Sequence, residues 1–105
     1  MSANEFLKRL PAALNQDAVS DVYCTIQFNV TAPAFATIGD GNCTVEDGSA
    51  NDANVTLTIA DDDLIALLKG ELDGMTAFMS GKLQVDGDLM LAQQIGGFFD
   101  TSKLA

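Results

Sequence analysis

The stretch "VTLTIADDDLIALLKGELDGMTAFMSGKLQVDGDLMLAQQI", residues 55–95, changes hydrophobic period repeatedly, and those changes decide the fold. It opens with strict alternation. Val55, Leu57 and Ile59 are apolar while Thr56 and Thr58 are polar, the period-two pattern of a strand with one buried face. Asp61-Asp62-Asp63 then precede the run Leu64-Ile65-Ala66-Leu67-Leu68. Carboxylates in that position favour a helix start, where they meet unbonded N–H groups and the positive end of the helix dipole. Gly70 ends this helix. A short helical segment is expected over residues 75–80, then a strand over 82–86 with Leu83 and Val85 facing inward. From Asp88 onward, Leu91, Ile95, Phe98 and Phe99 mark a last amphipathic helix, which the pair Gly96-Gly97 should fray or bend.

Upstream, Ser2-Ala3-Asn4-Glu5 fits a capping box, and Phe6, Leu7, Leu10 and Leu14 lie at helical spacing. Pro11 divides this stripe into a helix near residues 3–10 and a shorter helical piece. The clearest strand is 22–30. Its even positions are apolar, and among the odd ones only Tyr23 is not plainly polar. A further strand over 34–38 has an open inward parity, since Ala36 and Ile38 argue one way and Phe35 the other. The turn Gly39-Asp40-Gly41-Asn42 leads to a strand over 43–46, and the polar loop "EDGSANDAN" returns to Val55. The order of elements predicts an α+β domain: a single, mainly antiparallel, five-stranded sheet with helices packed on one face.

At 105 residues the chain is expected to form one domain, and its 48% hydrophobic against 19% charged content favours folding over disorder. No apolar run approaches the roughly 18–20 residues needed to span a bilayer. The first residues lack a basic segment followed by an apolar one, so no signal peptide is expected and the cytoplasm is the expected compartment. A net charge of −10 argues against nucleic acid, whose phosphates demand a basic footprint. It also disfavours lasting adhesion to anionic lipid, leaving transient membrane contact. Cys24 lies on the apolar parity of its strand and is expected to be a buried free thiol, as a disulfide is improbable without export. Asn-x-Thr sequons at Asn29, Asn42 and Asn54 would matter only in a secreted protein.

The sequence contains no histidine, which removes Ser-His-Asp and Cys-His catalysis and histidine-ligated metals. Gly81-Lys82 lacks the upstream glycine spacing of a phosphate loop. Gly39-Asp40-Gly41 has Thr44 where a dinucleotide fingerprint needs glycine. Asp40-Gly41-Asn42 and Asp86-Gly87-Asp88 start like calcium loops but lack the later Gly and Glu. Acidic clusters fall in turns or at helix starts, where solvation and capping account for them. No cofactor and no metal is expected.

Taken together, residues 55–95 resemble the SCP2 sterol-carrier family of non-specific lipid-transfer proteins. The resemblance rests on the Val55–Thr58 strand, the acidic start and leucine-rich run from Asp61 to Leu68, Phe78-Met79-Ser80-Gly81-Lys82-Leu83, and the Gly87-Asp88 step into the last helix. The strand 25–30, the Asp40-Gly41 turn and the leading helix with Pro11 also fit. Ala60 stands where the family often has a serine cap, and Met90 where a small residue is frequent. Ser102-Lys103-Leu104 would be a peroxisomal address only if terminal, and Ala105 follows it.

The resemblance implies an apolar tunnel for fatty acids, fatty acyl-CoA, sterols or similar lipids, with no reaction attached. The lipid-binding residues it implies are Ile26, Phe28, Leu57, Ile59, Leu64, Leu68, Phe78, Met79, Leu83, Val85, Met90, Leu91, Ile95 and Phe98. Periodicity alone reads the same set as close-packed core. Lys82 would either pair with a lipid carboxylate near the mouth or stay solvated. Residues 96–105 would either swing as a gate or form a frayed terminal helix. Three functions compete: a lipid carrier, a non-catalytic subunit presenting lipid to an enzyme, and a carboxylate-based enzyme.

Overall fold

The computed structural model describes residues 3–100. The expected capping serine, Ser2, and the Ser-Lys-Leu segment lie outside the described residues. Five strands form one sheet in the order β3-β2-β1-β4-β5: β1 Cys24–Asn29, β2 Ala34–Gly39, β3 Asn42–Asp47, β4 Val55–Ile59 and β5 Leu83–Gly87. Helices are α1 Ala3–Leu7, α2 Asp61–Leu68, α3 Gly74–Met79 and α4 Leu89–Phe98, with a 3-10 turn at Leu10–Ala13 where Pro11 interrupts the first helix. The α+β class and the mainly antiparallel sheet are as the sequence predicts. The central β1–β4 pair is parallel, because the chain leaves β3 through the loop 48–54 and re-enters the sheet beside β1.

Register explains why one face is apolar. Ile26 lies opposite Ala36 in β2 and Val55 in β4, Phe28 opposite Ala34 and Leu57, and Leu57 opposite Val85 in β5. These side chains share a face by the period of two, and all but Val85 are buried. The parity left open for β2 resolves in favour of Ala34, Ala36 and Ile38. Phe35 lies on the opposite face beside Glu46 and Gln27.

Gln27 departs from the expected wet face: it is 4% exposed. The polar loop folds back over it. The Gln27 amide accepts from Ala50 N at 2.7 Å and donates to the Gly48 carbonyl at 3.0 Å, so its burial leaves no polar group unpaired.

Three contacts set the helix starts. Ala60 occupies the cap position of α2 and its side chain makes no capping bond. Asp61 does not replace it; its carboxylate instead accepts from Thr31 N at 2.9 Å, tying α2 to the β1–β2 loop. That bond holds the Asp61 carboxyl below the usual carboxylate range. The Asp88 carboxylate caps α4 by accepting from Met90 N and Leu91 N at 3.0 and 3.1 Å. Asn54 locks the same corner: it exchanges hydrogen bonds with the Thr25 backbone, and its carbonyl accepts from Asp88 N.

Gly87 is indispensable to this corner. Its φ is +106°, and a Cβ there would lie 2.5 Å from the Asn54 carbonyl oxygen and 3.1 Å from Val55 Cα. Gly81 has φ +83° just after α3, whose end is closed by a Lys82 N–H bond to the Ala77 carbonyl.

The expected bend at Gly96-Gly97 is absent, and α4 continues to Phe98. Docking outweighs glycine's helix penalty of about 1 kcal/mol per residue. Phe98 and Phe99 are buried, Leu14 bridges Phe99, and Asn15 N and Asp100 N donate at 2.7 Å to the Phe98 and Ala13 carbonyls. Residues 101–105 of the expected gate lie outside the described residues.

Gly87→Ala should lower unfolding free energy in urea by about 3 kcal/mol or more, through clash and strain together. Gly97→Ala, with open space around its Cα, should raise it by about 0.5 kcal/mol. Asp61→Ala tests the α2 tie. Because folding depresses the Asp61 pKa below its ordinary 3.8, its stabilisation is complete above that value and is lost as pH falls through the lower folded pKa. Wild type should therefore exceed Asp61→Ala by about 1 kcal/mol near neutrality, with the gap closing in acid.

Candidate functional site

Over β4 and β5 the helical cover is incomplete. Packing among α2, α3 and α4 is sparse, and between them lies a cavity of about 710 Å³ that opens to solvent. Its floor is Leu57 of β4 with Leu83 and Val85 of β5. Leu64, Leu67 and Leu68 of α2 form one wall, and Leu89, Ala92 and Ile95 of α4 line it from the other helix. Leu72, Met75 and Phe78 complete it at α3 and the segment before it. An enclosed apolar tunnel, as expected from the resemblance, is not seen; the space is a cavity open to solvent.

The hollow follows from local sequence. Helix α3 is only six residues long, and Ala77 is its one buried residue. With a single buried side chain, α3 covers little of the sheet, and Ala77 itself is packed rather than lining the cavity. Asp73 starts the helix by accepting from Thr76 N at 3.2 Å and Thr76 Oγ1 at 2.9 Å. Met75, Phe78 and Leu89 are about half exposed and form an apolar rim.

Of the fourteen residues expected to bind lipid, Leu57, Leu64, Leu68, Phe78, Leu83, Val85 and Ile95 are gathered around this cavity. Ile26 and Phe28 are fully buried in the central strand and belong to the filled core. Ile59, Leu91 and Phe98 are buried beside the cavity without lining it. Met79 and Met90 require correction. They are 78% and 70% exposed, because the inward stripe of α4 is Leu91, Ile95 and Phe98, and the inward position of α3 is Ala77. Met90 lies one residue, roughly 100°, off its stripe, and Met79 lies two residues off. Leu67, Leu72, Met75, Leu89 and Ala92 line the cavity but were not expected to. Leu72 stands alone in a polar connection, and no period marks it.

Polar groups at the cavity are Glu71, Asp73 and Gln93. Lys82 is exposed and does not line it. Cys24 and Cys43 lie elsewhere on the apolar face, as free thiols flanking Ile38 across three strands. Burial pushes the Cys43 thiol up to about 11, with neighbouring Cys24 adding to the shift. The Cys24 thiol is raised by burial and then by the Asp88 charge. Both thiols should react slowly with an aromatic disulfide reagent at neutral pH and reach free-thiol rates only in denaturant; equal rates in both conditions would contradict this burial.

The fold and cavity define a class: a small α+β domain with an open apolar pocket over one edge of its sheet. The description of the matching family model is the SCP-2 sterol transfer family, over residues 3–100, and the chain belongs to that family. A peroxisomal multifunctional enzyme A from Dictyostelium discoideum is 38% identical over 66 residues, which cover 63% of this chain and 15% of the enzyme. The chain therefore spans a small part of the curated relatives it matches. Among solved structures, the stereoselective inverting sec-alkylsulfatase Pisa1 from Pseudomonas sp. superposes with a TM-score of 0.88 at 23% identity, covering 95% of this chain and 16% of that one. Apo sterol carrier protein 2 from Yarrowia lipolytica superposes with a TM-score of 0.68 at 23% identity, covering 90% of this chain and 84% of that one. These superpositions show a shared fold.

Proposed function

We propose that this chain is a non-catalytic lipid carrier whose cavity between α2, α3, α4 and the β4–β5 edge holds a single aliphatic guest. The observation that carries this reading is the hollow itself. The β1–β2 part of the apolar face is filled, whereas the β4–β5 part is floored by Leu57, Leu83 and Val85 beneath open space. Its volume of about 710 Å³ falls in the range of roughly 300–1,000 Å³ typical of small-ligand pockets. Membership of a sterol transfer family supports a lipid as the occupant, and the ligand set is fatty acids, fatty acyl-CoA, sterols or similar lipids.

The energetics suit a carrier. Burying a methylene is worth about 0.8 kcal/mol, so a chain of some 16 carbons offers on the order of 10 kcal/mol gross. Ordering the guest and leaving its end wet subtracts a substantial part. Binding is therefore micromolar to submicromolar and reversible. Entry runs past the Met75, Phe78 and Leu89 rim, since the C-terminal end of α4 is bolted to residues 13–15.

A second reading has a specific observation behind it. The related Dictyostelium protein and the structurally similar alkylsulfatase are both named as enzymes, and this chain corresponds to about a sixth of each or less. On this reading the domain docks on a partner enzyme or presents a lipid to it. The cytoplasmic address is part of the proposal, and the peroxisomal relative makes the peroxisome its rival; imaging of the tagged full-length protein separates them.

Native mass spectrometry of freshly purified protein should show a non-covalent adduct of lipid mass. Val85→Trp, which fills the floor of the cavity, should weaken binding of a fluorescent lipid at least tenfold while leaving the far-ultraviolet spectrum unchanged. Absence of any adduct, together with unaltered probe binding in the tryptophan variant, would refute the carrier reading. A partner recovered with affinity independent of lipid would favour the second one.

A further inference from the structure

The carrier reading leaves open which headgroup the cavity accepts, and the charge around it addresses that question. Glu71 and Asp73 line the cavity near its mouth, and the third polar lining residue, Gln93, is uncharged. No described lysine or arginine lines it. Lys8 is paired with Asp47 at 3.0 Å, Lys69 lies 5.9 Å from the centroid of the Phe6 ring, and neither Arg9 nor Lys82 is among the lining residues.

Helix starts are the other local source of positive potential, and those of α3 and α4 are already occupied. At α3 the Asp73 carboxylate accepts from Thr76 N, and at α4 the Asp88 carboxylate accepts from both Met90 N and Leu91 N. A bound carboxylate or phosphate would therefore meet two acidic side chains, two capped helix starts and, among the described residues, no lining cation, on a chain of net charge −10. Desolvating an anion in such a place is unfavourable, whereas a hydroxyl needs only a hydrogen-bond acceptor and an ammonium gains attraction.

We infer that the cavity of this chain selects amphiphiles with an uncharged or cationic head, such as long-chain alcohols, sterols or amines, and discriminates against fatty acids and fatty acyl-CoA. The inference rests on the carrier reading and narrows it. It assigns Glu71 and Asp73 as the specificity-determining residues, with Glu71 the more informative to change because Asp73 also caps α3.

The test is a matched set of ligands with one tail and different heads. Hexadecanol, hexadecylamine, palmitate and palmitoyl-CoA are titrated, below their aggregation limits, against the full chain loaded with the neutral fluorophore 1-aminoanthracene. At neutral pH and about 10 mM salt, palmitate should need roughly tenfold more ligand than hexadecanol for half-displacement. Raising salt to about 0.5 M should shrink that ratio, and hexadecylamine should bind at least as well as the alcohol. Glu71→Lys should close or invert the ratio, and Asp73→Asn, which keeps a capping side chain, should reduce it with α3 intact.

Palmitate binding as tightly as hexadecanol at low salt in the unmodified protein would overturn the inference while leaving the carrier reading in place. An unchanged ratio in Glu71→Lys would overturn the assignment of that residue. Failure of every ligand to displace the probe, with no lipid adduct in the mass spectrum, would remove the carrier reading and this inference together.

Discussion

One face of a five-stranded sheet must be kept from water, and the helices available for the task are too short to cover all of it. At about 4.8 Å per strand the sheet is roughly 20–25 Å wide. Helices α2, α3 and α4, of eight, six and ten residues, reach only about 12, 9 and 15 Å along their axes. Elements near the N-terminus attend to the other end of the same face, where the 3-10 turn packs against β3 and α1 against α2. The β4–β5 edge is left to three short helices held by their caps and end contacts rather than by close packing on one another. The hollow over Leu57, Leu83 and Val85 is what remains. The ends of these elements are fixed by Asp61 on Thr31, the Asn54–Gly87–Asp88 corner, and the clamp between Phe98–Asp100 and residues 13–15.

Much of this architecture was legible in the sequence because a strand's side-chain period is an integer. Alternation in 24–29 and 55–59 assigned the inward faces of β1 and β4 without ambiguity, and Leu83 with Val85 did so for β5. Features that depend on distant chain meeting distant chain were not legible. The parallel β1–β4 pairing is set by how the loop 48–54 travels, and the burial of Gln27 by where that loop lands. Persistence of α4 through Gly96-Gly97 reflects docking that local propensity does not contain.

The site was half legible for a related reason. Hydrophobicity identified residues that avoid water but did not separate those facing an empty space from those filling one. Ile26 and Leu57 both sit on the inward parity of central strands, yet only Leu57 borders the cavity. Helical residues posed an angular problem as well. Met79 and Met90 have the flexible apolar character of a pocket wall, but a rotation of one or two residues carries them to the solvent side. Family resemblance pointed to a pocket; only the packing located it.

Charge and shape are coupled in this chain. The carboxylates that start α3 and α4 fix the helices that frame the cavity, and in doing so they consume N–H groups that would otherwise attract an anionic head. Under the proposed head-group preference, Asp73 serves both the fold and the choice of guest. The central claim is that an aliphatic chain lies in the hollow over β4 and β5, and its most direct test is nuclear Overhauser spectroscopy on methyl-labelled protein with an unlabelled sixteen-carbon alcohol. Cross-peaks from the ligand chain to the methyls of Leu64, Leu68, Leu83 and Val85, with none to Val19 or Ile38, are the predicted result. Cross-peaks confined to other methyls, or none at all from a saturated sample, would contradict it.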